Sequence, residues 1–168
     1  MSSPELSLSS LPGLILCPMD PARDGEVYRA ARREAWLLVH PDLVSFDGPG
    51  FLEEAAEQQL WDRRALWCAR LDDRTVGILQ LATLRSVREG AGHISFLWVR
   101  EDLRRCGLGS RLLELAAAVY LSMGRTFLRL NCSPANHAAL SFYLSRGFSL
   151  AGRVPGAEGE LDLLEKKI

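Results

Sequence analysis

Two arginines and two glycines stand close together beyond the middle of the chain: Arg104, Arg105, Gly107 and Gly109. An apolar, strand-like segment (94–99) precedes them, and a segment with helical periodicity (108–123) follows. The first amides of a helix have no internal hydrogen-bond partners, and the helix dipole is positive at that end. Glycines let a phosphate approach the backbone, and arginines supply charged, forked donors. The spacing therefore predicts a binding site for a phosphate-bearing ligand.

The spacing matches neither of the two common nucleotide motifs. A dinucleotide-binding loop needs a third glycine where the chain has Leu112, and the Walker A loop needs Gly-Lys-Ser/Thr, which is absent. On these residues alone, an ordinary tight turn into a helix remains an alternative.

A second motif decides between these alternatives. Its residues follow the first motif after a helix-like and a strand-like segment: Asn136, Ala139, Tyr143, Gly147 and Phe148. Arg-x-x-Gly-x-Gly after a strand ending in valine, followed by Asn-x-x-Ala-x-x-x-Tyr-x-x-x-Gly-Phe, resembles the GNAT family of N-acetyltransferases. The resemblance covers residues 14–168. Glu101 is a departure, because many members carry proline at that position.

The resemblance implies a fold and a donor. The fold would be α/β, with a mixed, mainly antiparallel sheet of six or seven strands and helices on both faces. The donor would be acetyl-CoA, with no metal. Its diphosphate would bind at Arg104, Arg105, Cys106, Gly107, Leu108, Gly109 and Ser110, where we interpret Cys106 as a filler whose backbone amide binds. Its pantetheine arm would pair with the strand edge at Leu97, Trp98 and Val99. Asn136 would hold the arm from the other side, and it also suits a helix cap.

Tyr143 and His93 are the candidates for proton transfer. In amine acetylation a neutral amine attacks the thioester, and the intermediate then expels a thiolate. In the family that the chain resembles, the helix tyrosine lies beside the sulfur, where a phenol can protonate the thiolate. The alternative for Tyr143 is a half-buried side chain whose hydroxyl meets water. His93 stands where related sequences often have Glu, and imidazole suits removal of the ammonium proton. Two alternatives to this role for His93 remain. The residue would then be an ordinary surface histidine, and the ammonium proton would pass directly to water.

The remaining segments supply the elements that position these groups. Residues 1–13 are predicted to be a flexible tail and residues 14–168 one domain. We predict strands over residues 14–17, 65–71, 75–84, 93–99, 126–130, 148–154 and 161–168. We predict helices over residues 21–39, 51–60 and 108–123, a turn at residues 72–74 and a loop at residues 155–159. The first three strands after the second helix should form an antiparallel meander, and strand 126–130 should lie parallel to strand 93–99.

Composition gives no sign of a nucleic-acid or membrane partner. The net charge is −1, and the four cysteines lack metal-site spacing, so we expect reduced thiols in a cytoplasmic protein. Trp36 is interpreted as a core residue and His40 as a solvated loop residue. Three acidic residues near the end of the chain have two interpretations: they would attract a cationic acceptor, or they would belong to a solvated loop. They are Glu158, Glu160 and Asp162.

These observations predict transfer of acetyl from acetyl-CoA to a primary amine by direct attack. The sequence does not select among a small amine, an antibiotic, an amino acid and a protein N-terminus. One alternative is a non-catalytic module that binds and senses acyl-CoA; another is an acyltransferase that uses a longer acyl-CoA. By resemblance, the last hairpin would shape the acceptor pocket and, in some members, a homodimer contact.

Overall fold

The computed structural model describes residues 11–85, 90–157 and 159–168. The predicted tail therefore lies outside the described residues up to residue 10, as do residues 86–89 and Glu158. The strands are β1 (Ile15–Pro18), β2 (Leu66–Leu71), β3 (Arg74–Leu81), β4 (Ala91–Val99), β5 (Phe127–Cys132), β6 (Ser149–Gly156) and β7 (Gly159–Lys167). The α-helices are α1 (Pro21–Leu37), α2 (Gly48–Trp61), α3 (Leu108–Ser122) and α4 (His137–Ser145).

These strands form one seven-stranded sheet in the order β1-β2-β3-β4-β5-β7-β6. All neighbouring pairs are antiparallel except β4 and β5, which are parallel. The predicted meander and the predicted parallel pair are both confirmed. The parallel pair arises because α3 carries the chain back across one face of the sheet before β5 begins.

Side-chain caps determine where the first two helices begin. The Asp20 carboxylate accepts hydrogen bonds from the amides of Ala22 and Arg23, and Pro21 occupies the first helical position as predicted. The second helix begins earlier than residue 51, because the Asp47 carboxylate accepts from the Gly50 amide at 2.9 Å and Gly48 is already helical.

The turn between β2 and β3 is tighter than predicted. Leu71 pairs with Arg74, so the loop contains only Asp72 and Asp73, and Arg74 belongs to β3. Both loop residues have positive φ, 47° and 61°, as a two-residue type I′ hairpin requires. The last hairpin is likewise tighter than the predicted loop, since pairing of β6 with β7 continues to Gly156 opposite Gly159.

Helices cover both faces of the sheet, as predicted. On one face α3 packs on β3, with Leu112 and Ala116 buried against Leu79 and Leu81. On the other face α1 and α2 bury a second apolar cluster that includes Tyr28, Ala55 and Ile78. Among the described residues, no helix is long and apolar enough to cross a membrane.

Candidate active site

The parallel strands β4 and β5 part soon after they begin. Their pairing runs from Ala91 opposite Phe127 to His93 opposite Arg129. β4 continues to Val99 and β5 to Cys132 with no further pairing between them in the described structure. A wedge-shaped gap therefore opens in the middle of the sheet, bordered on each side by main-chain polar groups.

A β-bulge in β4 lies at the start of this gap. Leu81 of β3 pairs with Ile94 and Gln80 pairs with Phe96, so Ser95 is an extra residue without a partner on β3. A bulge bends its strand and increases the local twist. We attribute the separation of β4 from β5 to this extra residue.

The register of β3 and β4 determines which main-chain groups face the gap. The Arg100 amide donates to the Val76 carbonyl at 2.9 Å, and hydrogen-bonded pairs alternate along an antiparallel ladder. Leu97 and Val99 therefore turn their main-chain groups toward the gap, whereas those of Trp98 face β3. Of the three edge residues predicted from the sequence, two have the orientation that a strand-like ligand needs.

The loop that follows β4 leads into the N-terminus of α3. Gly107 is the N-cap residue, with a left-handed φ of 94° and no side-chain capping bond. The Arg111 amide bonds to the Gly107 carbonyl, so the amides of residues 108–110 precede the first helical hydrogen bond. The Ser110 hydroxyl is buried without a hydrogen-bond partner among the described residues. These free donors suit an anionic oxygen ligand, such as the diphosphate of coenzyme A.

Arg104 and Arg105 are placed differently from each other. The Arg104 Nε donates to the Val99 carbonyl at 2.9 Å, and its guanidinium forms an ion pair with Glu34 of α1. Glu34 also accepts a hydrogen bond from the Trp98 indole at 2.9 Å. Arg105 is exposed and has a positive φ of 63°, which is uncommon for a residue with a side chain. Arg104 is thus engaged within the protein, whereas Arg105 extends into solvent beside the loop.

Cys106 and Gly109 serve the packing of the loop. The Cys106 thiol is buried and donates to the Leu103 carbonyl at 2.7 Å, so it faces the core. A Cβ at Gly109 would lie 2.9 Å from the Phe142 ring. Gly109 therefore allows close packing of α3 on α4, a role that its predicted contact with phosphate does not require.

A cavity of about 400 Å³ occupies the gap, and we call it the gap cavity. Its walls include Leu97 and Ser95 of β4, Asn136 and Tyr143 from the α4 side, and Trp36 of α1. The structure therefore brings one of the three predicted edge residues, Leu97, together with the predicted asparagine and the predicted tyrosine at one cavity, which Trp98 and Val99 do not line.

Asn136 caps α4. Its side-chain oxygen accepts from the Ala139 amide at 3.2 Å, which confirms the helix-cap interpretation. The cap uses the oxygen alone, so the two amide hydrogens of Asn136 remain to donate to a ligand in the gap cavity.

Tyr143 presents a protonated hydroxyl to the gap cavity. The residue is 9% exposed, and no described residue hydrogen-bonds to its hydroxyl. Burial raises the pKa of Tyr143, and the nearby Cys132 thiol raises that pKa further. The phenol therefore stays protonated at neutral pH, which is the state that a proton donor needs.

His93 lines a second cavity of about 610 Å³, which we call the α2 cavity because Glu54 and Gln58 of α2 form one wall. The two cavities adjoin at a junction formed by the residues that line both of them: Ile94, Ser95, Asn131 and Leu161. Tyr143 and His93 therefore lie on opposite sides of this junction rather than in one cavity.

The surroundings of His93 keep its imidazole neutral. Burial is the largest cause, followed by the positive charges of Arg85 and Arg129, and together they lower the pKa of His93 to about 4. A base with so low a pKa accepts protons weakly at neutral pH.

Two side chains at the gap cavity, Trp36 and His40, were not assigned to a site from the sequence. Trp36 and His40 stack face to face with ring centroids 3.6 Å apart, and both line the gap cavity rather than a core or open solvent. Glu160 also lines it, whereas Asp162 forms an ion pair with Arg153 at 3.4 Å. Helical spacing predicts an inward-facing Trp36, but nothing local distinguishes a cavity wall from a core.

Comparison with known proteins connects this geometry to a family. A sequence model of the Acetyltransferase (GNAT) family matches residues 32–148. No curated protein sequence is significantly similar to the chain.

Solved structures share the fold at low sequence identity. Ard1 from Thermoplasma volcanium superposes with a TM-score of 0.74 at 16% identity, covering 93% of this chain and 98% of that chain. The PaiA N-acetyltransferase from Thermoplasma acidophilum, in complex with coenzyme A, has a TM-score of 0.64 at 16% identity. The match covers 92% of this chain and 99% of that chain. YncA from Salmonella typhimurium, with its cofactor acetyl-CoA, has a TM-score of 0.68 at 15% identity. The match covers 92% of this chain and 93% of that chain.

Proposed function

The chain belongs to the acetyltransferase (GNAT) family, and we propose that it transfers acetyl from acetyl-CoA to the primary amine of an acceptor. The observation that carries this proposal is the gap between β4 and β5, where unpaired strand edges, Asn136 and the Tyr143 hydroxyl converge on one cavity.

The donor would bind along the gap and the N-terminus of α3. The amides of residues 108–110 and the Ser110 hydroxyl would hold the diphosphate. The gap-facing main-chain groups of Leu97 and the gap-facing amide of Val99 would pair with the pantetheine arm, and the Asn136 amide would donate from α4; the Val99 carbonyl already accepts from Arg104. Two of the solved structures with a similar fold contain coenzyme A or acetyl-CoA, and this agrees with an acyl-CoA donor.

The chain's own residues would then direct the proton transfers. The neutral acceptor amine forms the C–N bond at the thioester carbon, and the C–S bond breaks as the intermediate collapses. Tyr143 donates its proton to the departing sulfur, because its hydroxyl is protonated and the residue lines the gap cavity. The nitrogen loses one proton as the amide forms, and that proton restores the Tyr143 phenol, so the products are the amide and the free thiol of coenzyme A. The proton of the acceptor ammonium leaves through the α2 cavity, where His93 and water are the available acceptors.

Release of free thiol from acetyl-CoA, followed with a panel of primary amines, tests the proposal. We expect turnover with at least one amine and about a 100-fold loss of kcat in the Tyr143→Phe variant. Binding of coenzyme A to that variant is the control, because the Phe side chain fills the same space and only the hydroxyl is lost.

The binding-module alternative makes a different prediction in the same experiment. A sensor would bind acetyl-CoA with no thiol release from any amine, and Tyr143→Phe would change nothing. Wild-type turnover that persists unchanged in Tyr143→Phe would instead remove Tyr143 from the role of proton donor while leaving the transfer activity intact. Propionyl-CoA and butyryl-CoA, used in place of acetyl-CoA, test the longer-acyl alternative.

A further inference from the structure

The α2 cavity has the size and position of an acceptor site. Its volume of about 610 Å³ falls within the range of small-molecule pockets. It adjoins the gap cavity, with which it shares the lining residues Ile94, Ser95, Asn131 and Leu161, and the donor's thioester would lie there if the proposed function is right. A small amine in the α2 cavity would therefore lie next to the proposed position of the thioester.

The charged side chains that line the α2 cavity are one carboxylate and one guanidinium within the described residues: Glu54 and Arg85. The remaining walls are polar uncharged or apolar, including Gln58, Thr83 and Leu161. A molecule with several positive charges would be repelled by Arg85, and one with several negative charges by Glu54. The lining is complementary to a molecule that carries one charge of each sign.

A hydrogen-bond network runs from the buried core to the exposed Glu54 on the acidic side of this cavity. Gln80, which is 3% exposed, accepts at its side-chain oxygen from the Tyr28 hydroxyl and from Arg32, both at 2.7 Å. Gln80 donates to the Gln58 side-chain oxygen at 3.1 Å, and Gln58 donates to Glu54 at 3.0 Å. The Glu54 carboxylate is therefore oriented by a chain of side chains that begins in the core.

Arg85 is the guanidinium among the described residues that line the α2 cavity. It forms no ion pair with any described residue, although its positive charge acts on His93 and helps lower the pKa of that imidazole. By contrast, Arg129, the other cation near His93, is already paired with Glu165. A guanidinium at a cavity wall that no carboxylate of the described residues engages is a suitable site for an anionic group, and its planar fork matches a carboxylate.

We propose that the acceptor is a small zwitterion, an amine that also carries a carboxylate, as amino acids do. Arg85 binds the carboxylate in the α2 cavity, and Glu54 attracts the ammonium form as it enters. The inference rests on the proposed acetyl transfer, since it names the acceptor class of that same site. The bound carboxylate offsets the positive charge beside His93, and the amine lies at the junction with the gap cavity.

Matched acceptors test the carboxylate requirement. We would compare kcat/KM for alanine, alaninamide and ethylamine, and for leucine, leucinamide and isoamylamine, each with acetyl-CoA. Within each set the amino acid should be preferred by about 10- to 100-fold, the value of a charge-assisted hydrogen bond. Amides or simple amines that react as well as the acids, or better, would overturn the inference and leave the proposed function standing.

The Arg85→Gln variant tests the residue. It should lower kcat/KM for the amino acids by about 10- to 100-fold and leave the amides and simple amines within about threefold. Arg74→Gln is the matched control, because Arg74 is an exposed arginine at the β2–β3 turn and lines neither cavity. An equal loss for acids and amides in Arg85→Gln would contradict a carboxylate contact.

Calorimetry separates failure of this inference from failure of the proposed function. If no acceptor is turned over, alanine and leucine are titrated into the protein in the presence of coenzyme A. Heat of binding that Arg85→Gln abolishes supports the carboxylate site even without transfer. Absence of heat in wild-type protein overturns it.

Discussion

Acidification should destabilise the protein through His93. Burial first, and then Arg85 and Arg129, lower the pKa of His93 from 6.5 to about 4 in the folded protein. Between these two values the unfolded chain binds a proton at this residue and the folded chain does not. The contribution is therefore fully present above the unfolded pKa of 6.5 and is lost as the pH falls toward about 4.

The size of this effect follows from the two pKa values. At about pH 5 the unfolded histidine is almost fully protonated and the folded one almost fully neutral, so the free energy of unfolding falls by about 2 kcal/mol relative to neutral pH. The His93→Gln variant keeps a polar side chain that cannot take up a proton. It should lack this part of the acid sensitivity.

Urea unfolding at about pH 8 and about pH 5 measures the difference, with each free energy extrapolated to water. The wild type should lose about 2 kcal/mol more than His93→Gln between the two conditions. His137→Gln is the control, because His137 is exposed at the start of α4 and should leave the wild-type difference unchanged. Equal losses in wild type and His93→Gln would refute the reasoning that a half-buried imidazole is kept neutral by desolvation and by the charges of two arginines.

Three substitutions test the packing and the cap around the gap. Gly92→Ala should cost about 3 kcal/mol in urea unfolding, because a Cβ at Gly92 would lie 2.2 Å from the buried Tyr120 ring; wild-type stability would contradict that contact. Gly109→Ala should cost about 1–3 kcal/mol and raise the KM for acetyl-CoA, because it displaces Phe142 and with it α4; an unchanged KM would separate this packing from donor binding. Asn136→Asp keeps the cap but loses the amide hydrogens, so stability should change by less than about 0.5 kcal/mol while the KM for acetyl-CoA rises about tenfold. If the KM for acetyl-CoA is unchanged in Asn136→Asp, Asn136 caps α4 but does not bind the donor.

Local patterns were sufficient to predict most of the fold. The phosphate-loop motif, the apolar segment before it and the periodic helix after it together predict a strand, a crossover and a parallel neighbour, and β4, α3 and β5 have that arrangement. The Asp-Asp turn between two strands was similarly readable. The two-residue length of this turn could not be predicted, because residue type seldom signals two consecutive positive φ values at non-glycine residues.

The site was less predictable, because its details depend on tertiary contacts. The extra residue Ser95 has no sequence signature, yet its bulge separates β4 from β5. The residues adjacent to Arg104 in sequence predict that it binds phosphate. In the structure its guanidinium forms an ion pair with Glu34, which is distant in sequence. The α2 cavity likewise depends on how α2 packs against α1 and β2, which periodicity does not determine.

The central claim is that this chain binds coenzyme A at the N-terminus of α3. Calorimetric titration of coenzyme A into wild-type protein and into Gly107→Val tests it most directly. Valine cannot readily adopt the left-handed φ of 94° that Gly107 has, so the variant should lose the loop geometry. We predict heat for one coenzyme per chain in wild type and none in a Gly107→Val protein whose circular dichroism shows it folded. Folded wild-type protein that gives no heat would contradict the account.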